Sequence, residues 1–122
     1  MTGGGTQVLM SCRVLVIEDE YFLANDLEQA LRASGAEVIG PTGDLQEALR
    51  LVRRDGFDVA VIDINLRDDS AIVLADELMR QNVPFVFATG YGRDAIPQRF
   101  SHVTLCEKPF NDRDIIASIL GY

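Results

Sequence analysis

Short apolar runs rich in β-branched residues alternate five times with stretches of helical periodicity along this chain, and no other feature restricts its fold as much. The runs are RVLVI at 13–17, EVI at 37–39, VAVI at 59–62, FVFA at 85–88 and VTL at 103–105. Between them, Leu23, Leu27, Ala30 and Leu31 form a helical stripe that Gly35 is placed to stop. Leu45, Ala48, Leu49 and Val52 form a second, preceded by Asp44 and Glu47 at capping-box spacing. Ser70 is expected to cap a third helix, carrying Ile72, Ala75, Leu78 and Met79. Asn111 is expected to cap the last, with Ile115, Ile116, Ile119 and Leu120 inward. Gly40-Pro41 is expected to end the second strand. Residues 90–102 break the pattern: Gly90, Gly92 and Pro97 interrupt them and only Ile96 and Phe100 lie four apart, so at most a short helix is expected there. Such alternation implies one parallel sheet with right-handed crossovers and helices on both faces.

A sheet of that kind brings the carboxyl ends of its strands to one rim, where ligands bind. Glu18 and Asp19 follow the first run, Asp63 ends the third, Thr89 ends the fourth and Lys108 follows the fifth. Asp63 closes a continuous apolar run of the sort buried on both faces, and an uncompensated charge there costs several kcal/mol. Three carboxylates within several Å repel by about 4 kcal/mol per close pair at an effective dielectric near 20, so the rim calls for a cation. Mg²⁺, which combines a few protein oxygens with waters and a substrate phosphate, fits that need. Lys108 adds a second positive charge and Thr89 a hydroxyl donor. Together they form a set suited to phosphoryl transfer, with Asp63 as carboxylate nucleophile. A capping aspartate, an acidic first helical turn, a surface lysine and a strand-end threonine would each explain one of these residues, but not their joint occurrence at one rim. His102, the single histidine, has no companion that suggests catalysis or metal binding and reads as a loop residue.

With 122 residues, 48% hydrophobic and 25% charged, the chain is long enough for one domain with a sizeable core. Residues 1–11, with Gly3-Gly4-Gly5, read as a flexible leader, and 12–122 as the domain. The net charge of −8 argues against nucleic acid or an anionic membrane as partner. No apolar run reaches the roughly 18 residues of a membrane span, and the amino end lacks a secretory signal, so a cytoplasmic location is expected. Cys12 and Cys106 read as reduced thiols.

At the rim residues the sequence resembles the receiver domain of two-component response regulators. The motifs are Glu18-Asp19 after RVLVI, Asp63 in DINL, Thr89 in FATG and Lys108-Pro109 in EKPF, in that order over residues 13–121. The resemblance implies a flavodoxin-like doubly wound (βα)5 fold with strand order 2-1-3-4-5 and a short or irregular fourth helix. It implies Asp63 as phosphoacceptor, Mg²⁺ held by Asp19, Asp63, the backbone carbonyl of Asn65 and, largely through water, Glu18. Thr89 and Lys108 would hold the phosphoryl oxygens, and the Lys108-Pro109 bond would be cis. Receivers usually carry an inward-turning aromatic three residues before the lysine, where this chain has Leu105. FATGYG instead resembles the FAT GUY receivers, which makes Tyr91 the candidate mobile aromatic and residues 90–100 the expected reporting surface.

The expected function is a stand-alone phosphorylation-controlled switch. Its donor would be a sensor histidine kinase or a histidine phosphotransfer protein, its output an unknown protein partner, and its state a monomer or weak dimer. The chain stops soon after the last helix, so no attached effector domain is expected. A phosphate sink and a phosphorylation-independent pseudo-receiver are the alternatives. A haloacid dehalogenase-type phosphatase also uses a strand-end Asp with Mg²⁺, but Asn65 stands where that class carries a second Asp, and there is no length for a cap domain.

Overall fold

The computed structural model describes residues 8–54, 56–66, 69–90 and 93–121. In chain order its elements are β1 (Arg13–Ile17), α1 (Tyr21–Ala33), β2 (Glu37–Thr42), α2 (Leu45–Arg54), β3 (Val59–Asp63), α3 (Ser70–Arg80), β4 (Phe85–Thr89), β5 (Thr104–Glu107) and α4 (Asp112–Leu120). The strands form one sheet in the order β2-β1-β3-β4-β5, and every neighbouring pair is parallel. This is the flavodoxin-like fold expected from the alternation and the resemblance.

Alternate strand residues point to opposite faces, and each face has its own core. Leu15, Ile17, Ala60, Ile62 and Phe87 pack with Val52 of α2, Leu74 and Leu78 of α3 and Phe100. Val14, Val16, Val61 and Val86 pack on the other side with Leu27 and Leu31 of α1 and Ile115 of α4. Because β3 and β4 are buried along their whole length on both faces, the rim they deliver is rigidly placed.

Residues 93–103 form no α-helix. Two single 3₁₀ turns, Arg93–Ala95 and Gln98–Phe100, flank Pro97, whose extended backbone and missing N–H prevent the turns from merging. The segment is nonetheless anchored. Ile96 and Phe100 are buried. Arg93 donates to the carbonyls of Ser101 and Val103, both at 3.1 Å, and Arg99 pairs with Asp76 of α3 at 2.9 Å.

Three local expectations need correction. β2 runs on through Gly40 and a cis Pro41 to Thr42, with a register shift against β1 between Leu15 and Ile17. An edge strand tolerates this, because a proline there costs no ladder bond on its solvent side. Asp69, in the left-handed region, holds the N-cap position of α3 without a side-chain capping bond, and Ser70 is the first residue of the helix. β5 begins at Thr104 and reaches Glu107, carried further by pairing with β4. Ahead of β1, Leu9 is buried and its N–H donates to Ser34 O at 2.8 Å. The last helix matches expectation, with a full capping box between Asn111 and Asp114.

Candidate functional site

β1 runs directly into Glu18, whose N–H donates to Thr42 O at 2.9 Å and so keeps the residue in the β1–β2 ladder. The residue is 4% exposed, and one of its side-chain oxygens, Oε2, accepts the Glu20 N–H at 3.2 Å. Glu20 itself caps α1, accepting from the N–H groups of Phe22 and Leu23 at 3.1 and 2.9 Å. The acidic run therefore divides: Glu18 turns into the rim, Asp19 lies at the surface and Glu20 closes the helix.

Asp63 ends β3 at 3% exposure, and its Oδ1 accepts the Asn65 N–H at 3.0 Å, which folds the following loop back on the strand end. Ile64 N–H donates to Ala88 O at 2.9 Å, so the β3–β4 ladder extends past Asp63. Ligand oxygens of Glu18, Asp19 and Asp63 all lie within 4.8 Å of one another. Lys108 reaches in from the end of β5: its Nζ lies 3.0 Å from Asp63 Oδ1 and 3.4 Å from Glu18 Oε1. Lys108 N–H also donates to Thr89 O at 2.7 Å, and the Lys108-Pro109 bond is cis. Thr89 is completely buried at the end of β4. Five of the expected residues thus converge on one rim, with Asn65 immediately beyond it; Tyr91 lies outside the described residues. Leu105 is half-buried against the Phe87 side of the core.

One lysine among three carboxylates leaves the rim short of positive charge. Burial first, then the hydrogen bond with Asp63 and the charge of Asp63, push the Glu18 carboxyl up to about 7, against the opposing pull of Glu20 N–H and Lys108. Two buried carboxylates sharing one ammonium, with a third at the surface beside them, form an oxygen donor set that suits a hard divalent cation. Alongside lies a cleft of about 420 Å³ lined by Glu18, Asp19, Tyr21, Pro41 and Gly43 among others.

The raised Glu18 value carries a stability consequence with a definite sign. A carboxyl whose folded-state value lies above its unfolded value of 4.5 favours folding below pH 4.5, and that contribution is lost as pH rises through 7. Metal-free protein should therefore lose thermal stability between pH 5 and 8, and Glu18→Gln should flatten the slope and unfold at higher temperature at pH 8. Thermal unfolding in chelator across that range tests this; equal slopes for the two proteins would contradict it.

Three neighbours of the site were not singled out from sequence. Tyr21 and Phe22 open α1 beside the acidic run, each 74% exposed, their rings edge to face at 5.3 Å. Their exposure was legible, since they precede the Leu23, Leu27, Ala30, Leu31 stripe. Gly43 packs against Asp19, and no periodic signal reports such a contact.

A five-stranded parallel sheet in this order, with an acid-and-lysine rim at its carboxyl edge, is the arrangement that the resemblance to receiver domains implied. Residues 14–120 match the family model of the response regulator receiver domain, and the chain belongs to that family, part of two-component signalling. It is similar to the transcriptional regulatory protein PdtaR of Mycobacterium tuberculosis, 31% identical over 111 residues that cover 88% of this chain and 54% of PdtaR. Among solved structures, SdrG from Sphingomonas melonis Fr1 superposes with a TM-score of 0.77 at 33% identity, covering 90% of this chain and 97% of SdrG. The response regulator PhyR from Brucella abortus superposes at 0.71 with 31% identity, covering 91% of this chain and 46% of PhyR. The chain spans about half the length of the curated relatives it matches first. No helix among the described residues is long and apolar enough to cross a membrane.

Proposed function

We propose that Asp63 accepts a phosphoryl group from a phosphohistidine on a sensor kinase or phosphotransfer protein, and that the domain signals by changing its affinity for a protein partner. The observation that carries this reading is Lys108 Nζ held between Asp63 and Glu18, with the Asp19 carboxylate beside them. A carboxylate oxygen of Asp63 forms the new P–O bond as the donor's N–P bond breaks, and the departing imidazole keeps the electron pair and takes a proton from solvent. The Lys108 ammonium, already 3.0 Å from Asp63, follows the charge onto the phosphoryl oxygens. Thr89 turns its hydroxyl to a second oxygen. Glu18, Asp19, Asp63 and the backbone carbonyl of Asn65 would hold Mg²⁺, which when bound neutralises the charge of the incoming phosphoryl group. Phosphorylation shifts the domain between states only by the difference in how well each state holds that group, and the anchored but non-helical 93–103 segment next to Thr89 is suited to respond. Receivers in general are signalling domains rather than enzymes, and relatives of the PhyR type work within longer chains, so the downstream partner here is a protein of unassigned identity.

A protein donor would meet the rim beside α1, where Tyr21 and Phe22 stand exposed. Aromatic anchors often contribute over 1 kcal/mol each to binding. Tyr21→Ala/Phe22→Ala should slow transfer from a phosphotransfer protein that labels the wild type by about tenfold or more, while labelling by acetyl phosphate stays unchanged. Equal slowing with both donors would remove the docking role.

The reading is tested by heteronuclear NMR with Mg²⁺ and then beryllofluoride. Shifts at Asp19, Asp63 and Lys108 with Mg²⁺, spreading with beryllofluoride to Thr89 and residues 93–100, support the switch. Changes confined to the rim favour a phosphate sink, and silence at Asp63 in both steps points to a pseudo-receiver.

A further inference from the structure

We propose that Gly43 is a positioning residue for Asp19 that keeps its carboxylate within reach of the rim, an inference that rests on the Mg²⁺ reading above. Gly43 lies in the short junction between β2 and α2, outside the rim itself. Its φ does not fall in the left-handed region, in contrast to Gly35, Gly40, Gly56 and Gly121. Backbone freedom is therefore not the reason for a glycine here.

The reason is contact. A Cβ built on Gly43 would overlap the Cβ of Asp19 and lie 2.5 Å from its Cα and 3.2 Å from its N. These atoms sit at or next to the backbone, so no side-chain rotation relieves the overlap. One of the two loops must move.

The junction is the better held. Thr42 O accepts the Glu18 N–H at 2.9 Å. Thr42 Oγ1 accepts the Asp44 N–H at 3.2 Å and donates to Glu47 Oε1 at 2.6 Å, while Asp44 caps α2 by accepting the Glu47 N–H at 2.8 Å. α2 in turn is seated by the fully buried Ala48 and Val52. Asp19, by contrast, is exposed and sits between a strand end and the Glu20 cap. A side chain at position 43 displaces Asp19, and the carboxylate leaves the group whose oxygens now lie within 4.8 Å of one another. Of the two neighbouring carboxylates, Asp63 is held apart from this contact, by the Asn65 N–H and Lys108, whereas Glu18 adjoins it through the Glu20 N–H and keeps Lys108 as its second hold. The effect of residue 43 on the ion should thus pass chiefly through Asp19, the residue its Cβ would overlap.

The experiment is Mg²⁺ titration followed by NMR on the 122-residue wild type, Gly43→Ala, Asp19→Asn and the double variant, with spectra of the metal-free proteins and their thermal unfolding in chelator. Gly43→Ala is expected to weaken Mg²⁺ binding about tenfold, the lower end of what loss of a supporting contact to a metal ligand costs. In the Asp19→Asn background the same change should add little. Metal-free Gly43→Ala should shift the Asp19 resonances while leaving those of Asn65 and the α4 cap in place. Wild-type affinity in Gly43→Ala, or an equal loss in the Asp19→Asn background, overturns the proposal. Wild type that fails to bind Mg²⁺ overturns the cation reading instead; unmoved Asp19 resonances in metal-free Gly43→Ala would then overturn the positioning role on their own.

Discussion

Asp63→Asn should abolish phosphoryl uptake from acetyl phosphate and from protein donors alike, while the domain remains folded. The amide lacks the nucleophilic carboxylate oxygen but keeps an oxygen that can accept the Asn65 N–H, now bonded at 3.0 Å. It also removes the carboxylate charge that repels Glu18, while Lys108 keeps Glu18 as its partner, so the fold should weaken by no more than about 1 kcal/mol, a shift of a few degrees in Tm for a domain of this size. Intact-protein mass spectrometry after exposure to donor reads the phosphoryl adduct directly, and circular dichroism reads the fold. An adduct that persists in Asp63→Asn would sink the phosphoacceptor assignment. Leu105→Tyr serves as the contrast: the residue is half-buried behind the rim, touches the core rather than the carboxylates, and its replacement should leave uptake nearly intact.

Lys108→Met should damage both stability and uptake, and the two effects have separate signatures. The lysine is the one cation paired with the two buried carboxylates among the described residues, at 3.0 and 3.4 Å. Removing one partner of a buried pair leaves uncompensated charge and costs about 3 kcal/mol. That cost should be largest in chelator at pH 8. It should shrink toward pH 5, where Glu18, already pushed up to about 7, takes up a proton. Added Mg²⁺ should restore stability, because it returns positive charge to the same oxygens. It should not restore full uptake, because transfer needs the Lys108 ammonium on a phosphoryl oxygen in addition to the ion; loss of such a contact costs about 10²–10³ in rate. Stability that Mg²⁺ leaves unchanged would mean that the carboxylates do not share the ion.

Much of this molecule is readable without coordinates. The core faces follow from local periodicity, because residues two apart in a strand and three or four apart in a helix must share a side. The caps at Asp44 and Asn111 follow from residue chemistry close in sequence. The rim set Glu18, Asp19, Asp63, Thr89 and Lys108 was legible because every strand of a parallel sheet ends on the same edge. The weak segment after β4 was legible through Pro97 and its glycines, although its resolution into two 3₁₀ turns braced by Arg93 and Arg99 was not.

What the tertiary structure alone decided are contacts between residues remote in the chain. Periodicity marks Gly40-Pro41 as a breaker, yet edge pairing with β1 carries β2 across it. Composition puts acids and a lysine at the rim, but only the packed sheet divides their roles: Glu18 and Asp63 share one ammonium, Asp19 stays at the surface and Glu20 caps a helix. Desolvation, which raises Glu18, is a property of the assembled core rather than of any segment. The close approach of Gly43 to Asp19 is of the same kind, because two loops brought together by neighbouring strands leave no trace in the pattern of either. Local sequence determines which elements form and where their polar ends fall; burial and long-range geometry determine what those ends do to one another.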